Sequence, residues 1–250
     1  MTDLNALDWS LLVVAAVLVG FAKTAIGGVA ALSVAIFAAV LPARESTGAL
    51  LPLLLVGDVV AVSLYRRHAD WGTLLRLFPS VAVGVLVGVV FVAQIGDTGM
   101  RRTIGAVLLV LSGLHLWQRH RARRGEPAVP SAARRRVAAL SFGSLSGFTT
   151  MVANAAGPVM SLYLLSAGMP MLQFLGTGAW FFLLVNLFKI PFSAGLGLIS
   201  GASLTLNVLL TPVLLVGAWL GRVVIRRLDQ SRFEQLVLAF TILASLNLLR

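Results

Sequence analysis

The chain has 250 residues, 58% of them apolar and only 12% charged, with a mean hydropathy of +0.95, whereas an ordinary soluble domain is roughly half apolar and about a quarter charged. A soluble core of this length has no use for that composition, and the lack of cysteine excludes disulfides, thiolate metal sites, cysteine nucleophiles and any persulfide relay within the chain. The net charge of +11 would suit a nucleic-acid binder in a soluble protein, but here arginines crowd the joints between uncharged apolar runs, the pattern of membrane spans and their loops, which speaks against nucleic acid.

In chain order, the first residues are acidic where a secretory signal would be basic, and no small-residue cleavage pattern follows, so the first apolar run is expected to stay as a span. From Trp9 to Leu41 the apolar stretch is too long for one crossing: as a single helix it would extend about 50 Å, against a hydrocarbon core of about 30 Å. Its interruption is Lys23-Thr24-Ala25-Ile26-Gly27-Gly28, rich in residues that end or kink helices. Apolar runs with almost no charge follow at Leu50–Tyr65, Leu77–Gln94 and Ile104–Trp117. The basic segment Arg119–Arg136, broken by Gly125, Pro127 and Pro130, reads as a cytoplasmic linker that fixes orientation and meets anionic lipid headgroups. A second long stretch, Val137 to Ala167, is interrupted over Thr149–Pro158, and the runs Phe174–Phe188 and Leu204–Leu220 come after it. The expected organisation is a first transmembrane repeat over 1–118, a linker over 119–136 and a second repeat over 137–250.

The halves align at a nearly constant offset: Gly20-Phe21 with Gly147-Phe148, Leu41-Pro42 with Met169-Pro170, Pro79, Gly84 and Gly88 with Pro212, Gly217 and Gly221, and Asp97 with Asp229. Each half is expected to hold a broken first element and three ordinary spans. If the broken element crossed once, Arg222, Arg226, Arg227 and Arg232 would lie on the face opposite the linker; if it turns back as a hairpin, they join it, as the positive-inside rule favours. A hairpin leaves three net crossings per half and inverts the second half relative to the first. The predicted fold is therefore all-α and membrane-integral, with two inverted four-element repeats whose breaks face each other as binding loops.

The chain has 20 lysines and arginines, and its only lysines, Lys23 and Lys189, sit within or beside apolar stretches while the arginines occupy loops. Intramembrane charge is costly and faces a cavity or a partner. Lys23 lies in the first break beside Gly27 and Gly28, where a cation and helix-end amides attract an anion. Lys189 follows Asn186 in Asn-Leu-Phe-Lys-Ile-Pro, where Pro191 is expected to end the helix. Asp58 is the acidic residue deep in an apolar run, and either pairs with a lysine or carries a coupled proton. Thr24, Thr149, Thr150 and Asn154, with Gly157 and Pro158, would supply hydroxyl, amide and backbone donors to the anion's oxygens. There is no phosphate-binding loop, so gradients of ions would have to drive transport, and no Gly-x-Ser-x-Gly elbow or His/Glu metal cluster of an intramembrane enzyme. No cofactor is called for.

Gly-Phe-Ala-Lys-Thr-Ala-Ile-Gly-Gly at 20–28, Leu-Tyr-Arg-Arg-His-Ala-Asp-Trp at 64–71 and Gly-Phe-Thr-Thr-Met-Val-Ala-Asn-Ala-Ala-Gly-Pro-Val at 147–159, followed by Asn186, Lys189 and Pro191, resemble the TauE/SafE sulfite exporter family over essentially the whole chain. The resemblance implies about eight transmembrane helices in two repeats and a cargo of sulfite, sulfonates or related anions. The expected protein is a multi-pass secondary transporter of the cell inner membrane whose partners are a small anion, lipid and, as a candidate coupling ion, the proton. A passive anion channel and a carrier for a non-sulfur organic anion are the alternatives, and homo-oligomerisation is left open.

Overall fold

The computed structural model describes residues 4–25, 29–100 and 132–227, together with Arg232 and scattered positions between 102 and 113. Gly27 and Gly28, most of the linker, Asp229 and the expected final span lie outside the described residues. The elements are α1 Ala6–Thr24, α2 Ala30–Val40, α3 Ala43–Tyr65, a 3-10 turn Arg66–His68, α4 Trp71–Gln94, α5 Ala132–Ala153, α6 Ala156–Ser166, α7 Met171–Gly195 and α8 Gly201–Ile225. Among the described residues, five helices, α1, α3 with its 3-10 turn, α4, α7 and α8, are long and apolar enough to cross a membrane. Together with exposed side chains such as Leu75 and Val208, each 71% accessible, and Trp219 at 62%, they mark an integral membrane protein whose outer faces need an apolar solvent.

Polar side chains start the spans where the apolar runs begin. Asn5 and Asp8 form a reciprocal capping box on α1, Asp70 caps α4, and Ser200 with Ser203 caps α8. Pro52, Pro79, Pro191 and Pro212 all lie inside helices. The expectation that Pro191 ends its helix is therefore corrected: α7 continues through it to Gly195. With no water in the bilayer core, leaving the helix would strand more backbone groups than the one bond a proline removes.

Each interrupted stretch turns back on itself. Ser33 of α2 donates to the Ala15 carbonyl of α1 at 3.0 Å, and the rings of Phe142 in α5 and Tyr163 in α6 lie 5.8 Å apart. The long helices then pair through glycines. A β-carbon on Gly217 would meet the Val17 carbonyl oxygen at 2.1 Å, and one on Gly221 would meet the Thr24 hydroxyl at 2.2 Å, so α1 and α8 run side by side in the same direction. Gly84 against Ser144, Gly88 against Met151 and Gly147 against Val81 give the same parallel contact between α4 and α5. Such close backbone approach is what small residues supply where lipid gives no hydrophobic drive. By contrast α3 and α7 are antiparallel, with Asp58 against Asn186 at one level and Tyr65 against Gly176 at another. Tyr65 is also within electrostatic reach of Arg222 and Arg226, so Arg66, Arg67, Arg222 and Arg226 gather at one end of the bundle, the end from which α4 and α5 start.

Candidate functional site

At the first break α1 ends at Thr24, shortly before Gly27-Gly28 in the sequence, which disfavour helix. Lys23 sits in the last turn of α1, where a cation complements the negative end of the helix dipole. The Tyr65 hydroxyl donates to the Thr24 carbonyl at 2.7 Å and ties the break to α3. Beyond the break, α2 starts at Val29-Ala30 with no side-chain cap.

The second break is narrower than its sequence suggests. Only Asn154 and Ala155 leave the helix, and Asn154 takes φ of 49°, a left-handed conformation that asparagine tolerates at a helix C-terminus. Thr149 and Thr150 stay helical, and the Thr149 hydroxyl donates back to Leu145 and Ser146 carbonyls at 2.7 and 3.3 Å. Gly157 and Pro158 form the first turn of α6, where a proline forfeits no helical bond. The Asn154 amide donates to the Thr47 carbonyl at 2.9 Å, fixing this break to the opposite stretch of α3.

Between the breaks a chain of buried polar groups crosses the bundle. Lys23 Nζ lies 2.6 Å from Asp58 Oδ1, their side chains 9% and 0% exposed, and 4.5 Å from the centroid of the Phe182 ring. The Asn186 amide donates to Asp58 Oδ2 at 2.6 Å. Lys189, only 2% exposed, donates to the Asn154 side-chain oxygen at 2.6 Å and the Thr150 carbonyl at 2.7 Å, with Thr150 Oγ1 at 3.3 Å and the Asn186 side-chain oxygen at 3.5 Å. Asn186 thus reaches the carboxylate with one end and the second lysine with the other.

A cavity of about 60 Å³ opens beside this chain. Lys23, Asp58, Thr150, Asn154, Gly157 and Asn186 line its polar side, and Ser161 adds a hydroxyl. Leu54, Met160, Leu164, Phe174, Leu175 and Phe182 line the rest. Of the residues singled out from sequence, Lys189 stands behind this wall, bonded to three of its members. Thr24 is turned away: its hydroxyl donates to Gly20 at 3.1 Å and to Ala218 of α8 at 2.9 Å. Thr149 and Pro158 do not reach the cavity either. Ser161 and Phe182 belong to the wall without having been singled out, because a serine or phenylalanine in an apolar span carries no pattern that separates cavity from lipid or core.

The paired spans, the facing breaks and a buried cation-lined cavity are the parts a membrane carrier needs, and comparison with known families adds the decisive observation: residues 12–248 match the family described as Sulfite exporter TauE/SafE. The chain belongs to the TauE/SafE sulfite exporter family. No curated protein and no solved structure matches it. TauE/SafE membership makes it a membrane transporter protein, and the match takes in both breaks, both lysines and Asp58.

Proposed function

We propose that this protein is a secondary carrier, working as an exporter, for a small sulfur-containing anion such as sulfite or an organosulfonate, and that the anion binds in the cavity between the two breaks. The observation that carries this reading is Lys23: it is the cation of the cavity wall, at the end of a broken helix, facing polar groups from the other half. An ammonium carries three donors and Asp58 Oδ1, at 2.6 Å, takes one of them, so Lys23 keeps N–H groups to give to an incoming anion. Thr150, Asn154 and Ser161 are placed to hydrogen-bond its oxygens.

The inverted-repeat arrangement supplies the alternation. α3 and α7 start directly after Pro42 and Pro170; in that register Asp58 corresponds to Asn186, and in the register of Gly20 with Gly147, Lys23 corresponds to Thr150. Asp58 therefore touches its own counterpart, as residues on a two-fold axis do, and the antiparallel packing of α3 on α7 supports an axis in the membrane plane. The matching parallel pairs, α1 with α8 and α4 with α5, support the same axis. Rocking one half against the other about this axis would open the cavity to each side in turn. The clustering of Arg66, Arg67, Arg222 and Arg226 supports a cytoplasmic placement of that end. In the cysteine-free chain, Arg227→Cys should label from the cytoplasmic side and Arg44→Cys from the opposite one.

The test is purified protein in liposomes given radiolabelled sulfite, thiosulfate, sulfoacetate and a carboxylate, with and without a pH gradient. Saturable uptake with counterflow of a sulfur anion supports the carrier. Unsaturated conductance would make it a channel, preference for the carboxylate would move the cargo out of the sulfur class, and movement of none of these anions would refute the proposal.

A further inference from the structure

Three buried ionisable groups surround the anion cavity, and the partners of each suit its charged form. Lys189 meets only acceptors, namely the Thr150 carbonyl and hydroxyl and the Asn154 and Asn186 side-chain oxygens, which suits an ammonium with three donors and no lone pair to offer. Asp58 has Lys23 against one oxygen and an Asn186 N–H on the other, which suits a carboxylate with no proton of its own. Lys23 has the carboxylate at 2.6 Å and the Phe182 ring face at 4.5 Å, both of which suit a cation. Lys23 and Asp58 are the ionisable residues of the cavity wall, and Lys189 stands directly behind it. The cluster carries two positive charges and one negative.

We propose that Asp58 is a valence filter: by cancelling one of two buried lysine charges it leaves a surplus of one, and so tunes the cavity to a singly charged anion. This rests on the reading of the cavity as the anion site and narrows its cargo. A monoanion brings the buried charge to zero. A dianion overshoots and leaves a net negative charge out of water, which is costly at this depth. Without Asp58 the surplus becomes two, and the preference should move toward the dianion. The geometry gives Asp58 this role because its carboxylate faces the cavity beside Lys23 rather than lying remote from the cargo.

Methanesulfonate and sulfate make the test clean, because they are nearly the same size and carry one and two charges. In liposomes the parent should take up methanesulfonate at least about tenfold faster than sulfate at equal concentration. Asp58→Asn should lower that ratio by about tenfold or more, and Asp58→Glu, which keeps the charge, should restore it. A purely structural role for Asp58 would slow both anions together and leave the ratio where it was. Should Asp58→Asn fail to fold, the parent's ratio decides, read also as the difference in thermal stabilisation by the two salts in detergent. A parent that moves both anions equally, or sulfate faster, overturns the filter while leaving the anion carrier intact. A parent that moves neither, while sulfite or sulfoacetate still moves, overturns the filter alone, and one that moves none of these anions overturns both.

Discussion

A lysine meets each of the two breaks, and the two lysines are used differently. At the first break Lys23 comes from the broken helix itself, lines the cavity and faces a carboxylate. At the second, Lys189 arrives from α7, is sealed behind the wall, and holds the Thr150 carbonyl and Asn154 side chain of the helix end. The difference separates contact from support: on the proposed reading one ammonium, paired with Asp58, also takes the anion, whereas the other holds a left-handed Asn154 and its helix end in place. Corresponding positions hold Lys23 and Asp58 in the first half but Thr150 and Asn186 in the second, so the cavity wall is ionic on one side and neutral on the other, with Lys189 behind the neutral side.

The comparison can be broken most severely at Lys23. Lys23→Ala leaves Asp58 buried without its cation, which costs about 3–5 kcal/mol when a buried pair is cut, and it removes the anion's attractor. Transport should fall about a hundredfold or more, measured in liposomes on protein whose fold is checked by thermal unfolding. Lys189→Met should unfold at a lower temperature, because it strands buried oxygens on Asn154 and Thr150 at about 1–3 kcal/mol. Its transport should also fall, because the surplus positive charge behind the wall is gone, but less than that of Lys23→Ala, since no ligand to the anion is lost. Equal losses in the two variants would erase the distinction between contact and support.

The glycine contacts sharpen the same picture at the level of the halves. Gly217→Val and Gly84→Val would each push a side chain into a carbonyl, of Val17 and Ser144 respectively. Both should lower stability by about 1–3 kcal/mol through overpacking, whereas Gly96→Ala, with nothing within 4 Å, should do little. Unequal effects at Gly217 and Gly84 would argue against equivalent halves. The smallest effect is expected at Phe182→Leu: losing the ring face under Lys23 removes about 0.5–2 kcal/mol, visible as a several-fold rise in KM with little change in maximal rate.

Much of this was legible in the sequence, for physical reasons that also set the limit. Runs such as Leu50–Tyr65 and Leu77–Gln94 lie inside α3 and α4, and Phe174–Phe188 and Leu204–Leu220 inside α7 and α8, because span length is dictated by bilayer thickness. The breaks were visible as Gly, Asn and Pro clusters, but their width was not: Thr149 and Thr150 stay helical, Thr149 by bonding its hydroxyl back to its own helix. Pro191 was over-read, since proline in a membrane helix bends the chain more readily than it ends it. The pairing of Lys23 with Asp58, and the bridge through Asn186 to Lys189, joins residues far apart along the chain. Only the packing of α1, α3, α5 and α7 brings them together. Phe182 and Ser161 stayed hidden because the apolar wall of a cavity and the lipid face of a helix have the same composition.

The claim that the cavity between the breaks is the anion site can be tested without following transport. Ala179 lines the cavity and Leu75 faces outward, and the chain has no cysteine of its own. In Ala179→Cys protein, reaction with a small maleimide should slow in proportion to added methanesulfonate and saturate, while Leu75→Cys should be indifferent. An Ala179→Cys reaction rate that does not change with methanesulfonate, in protein that still carries that anion across liposomes, would place the anion elsewhere and contradict the account.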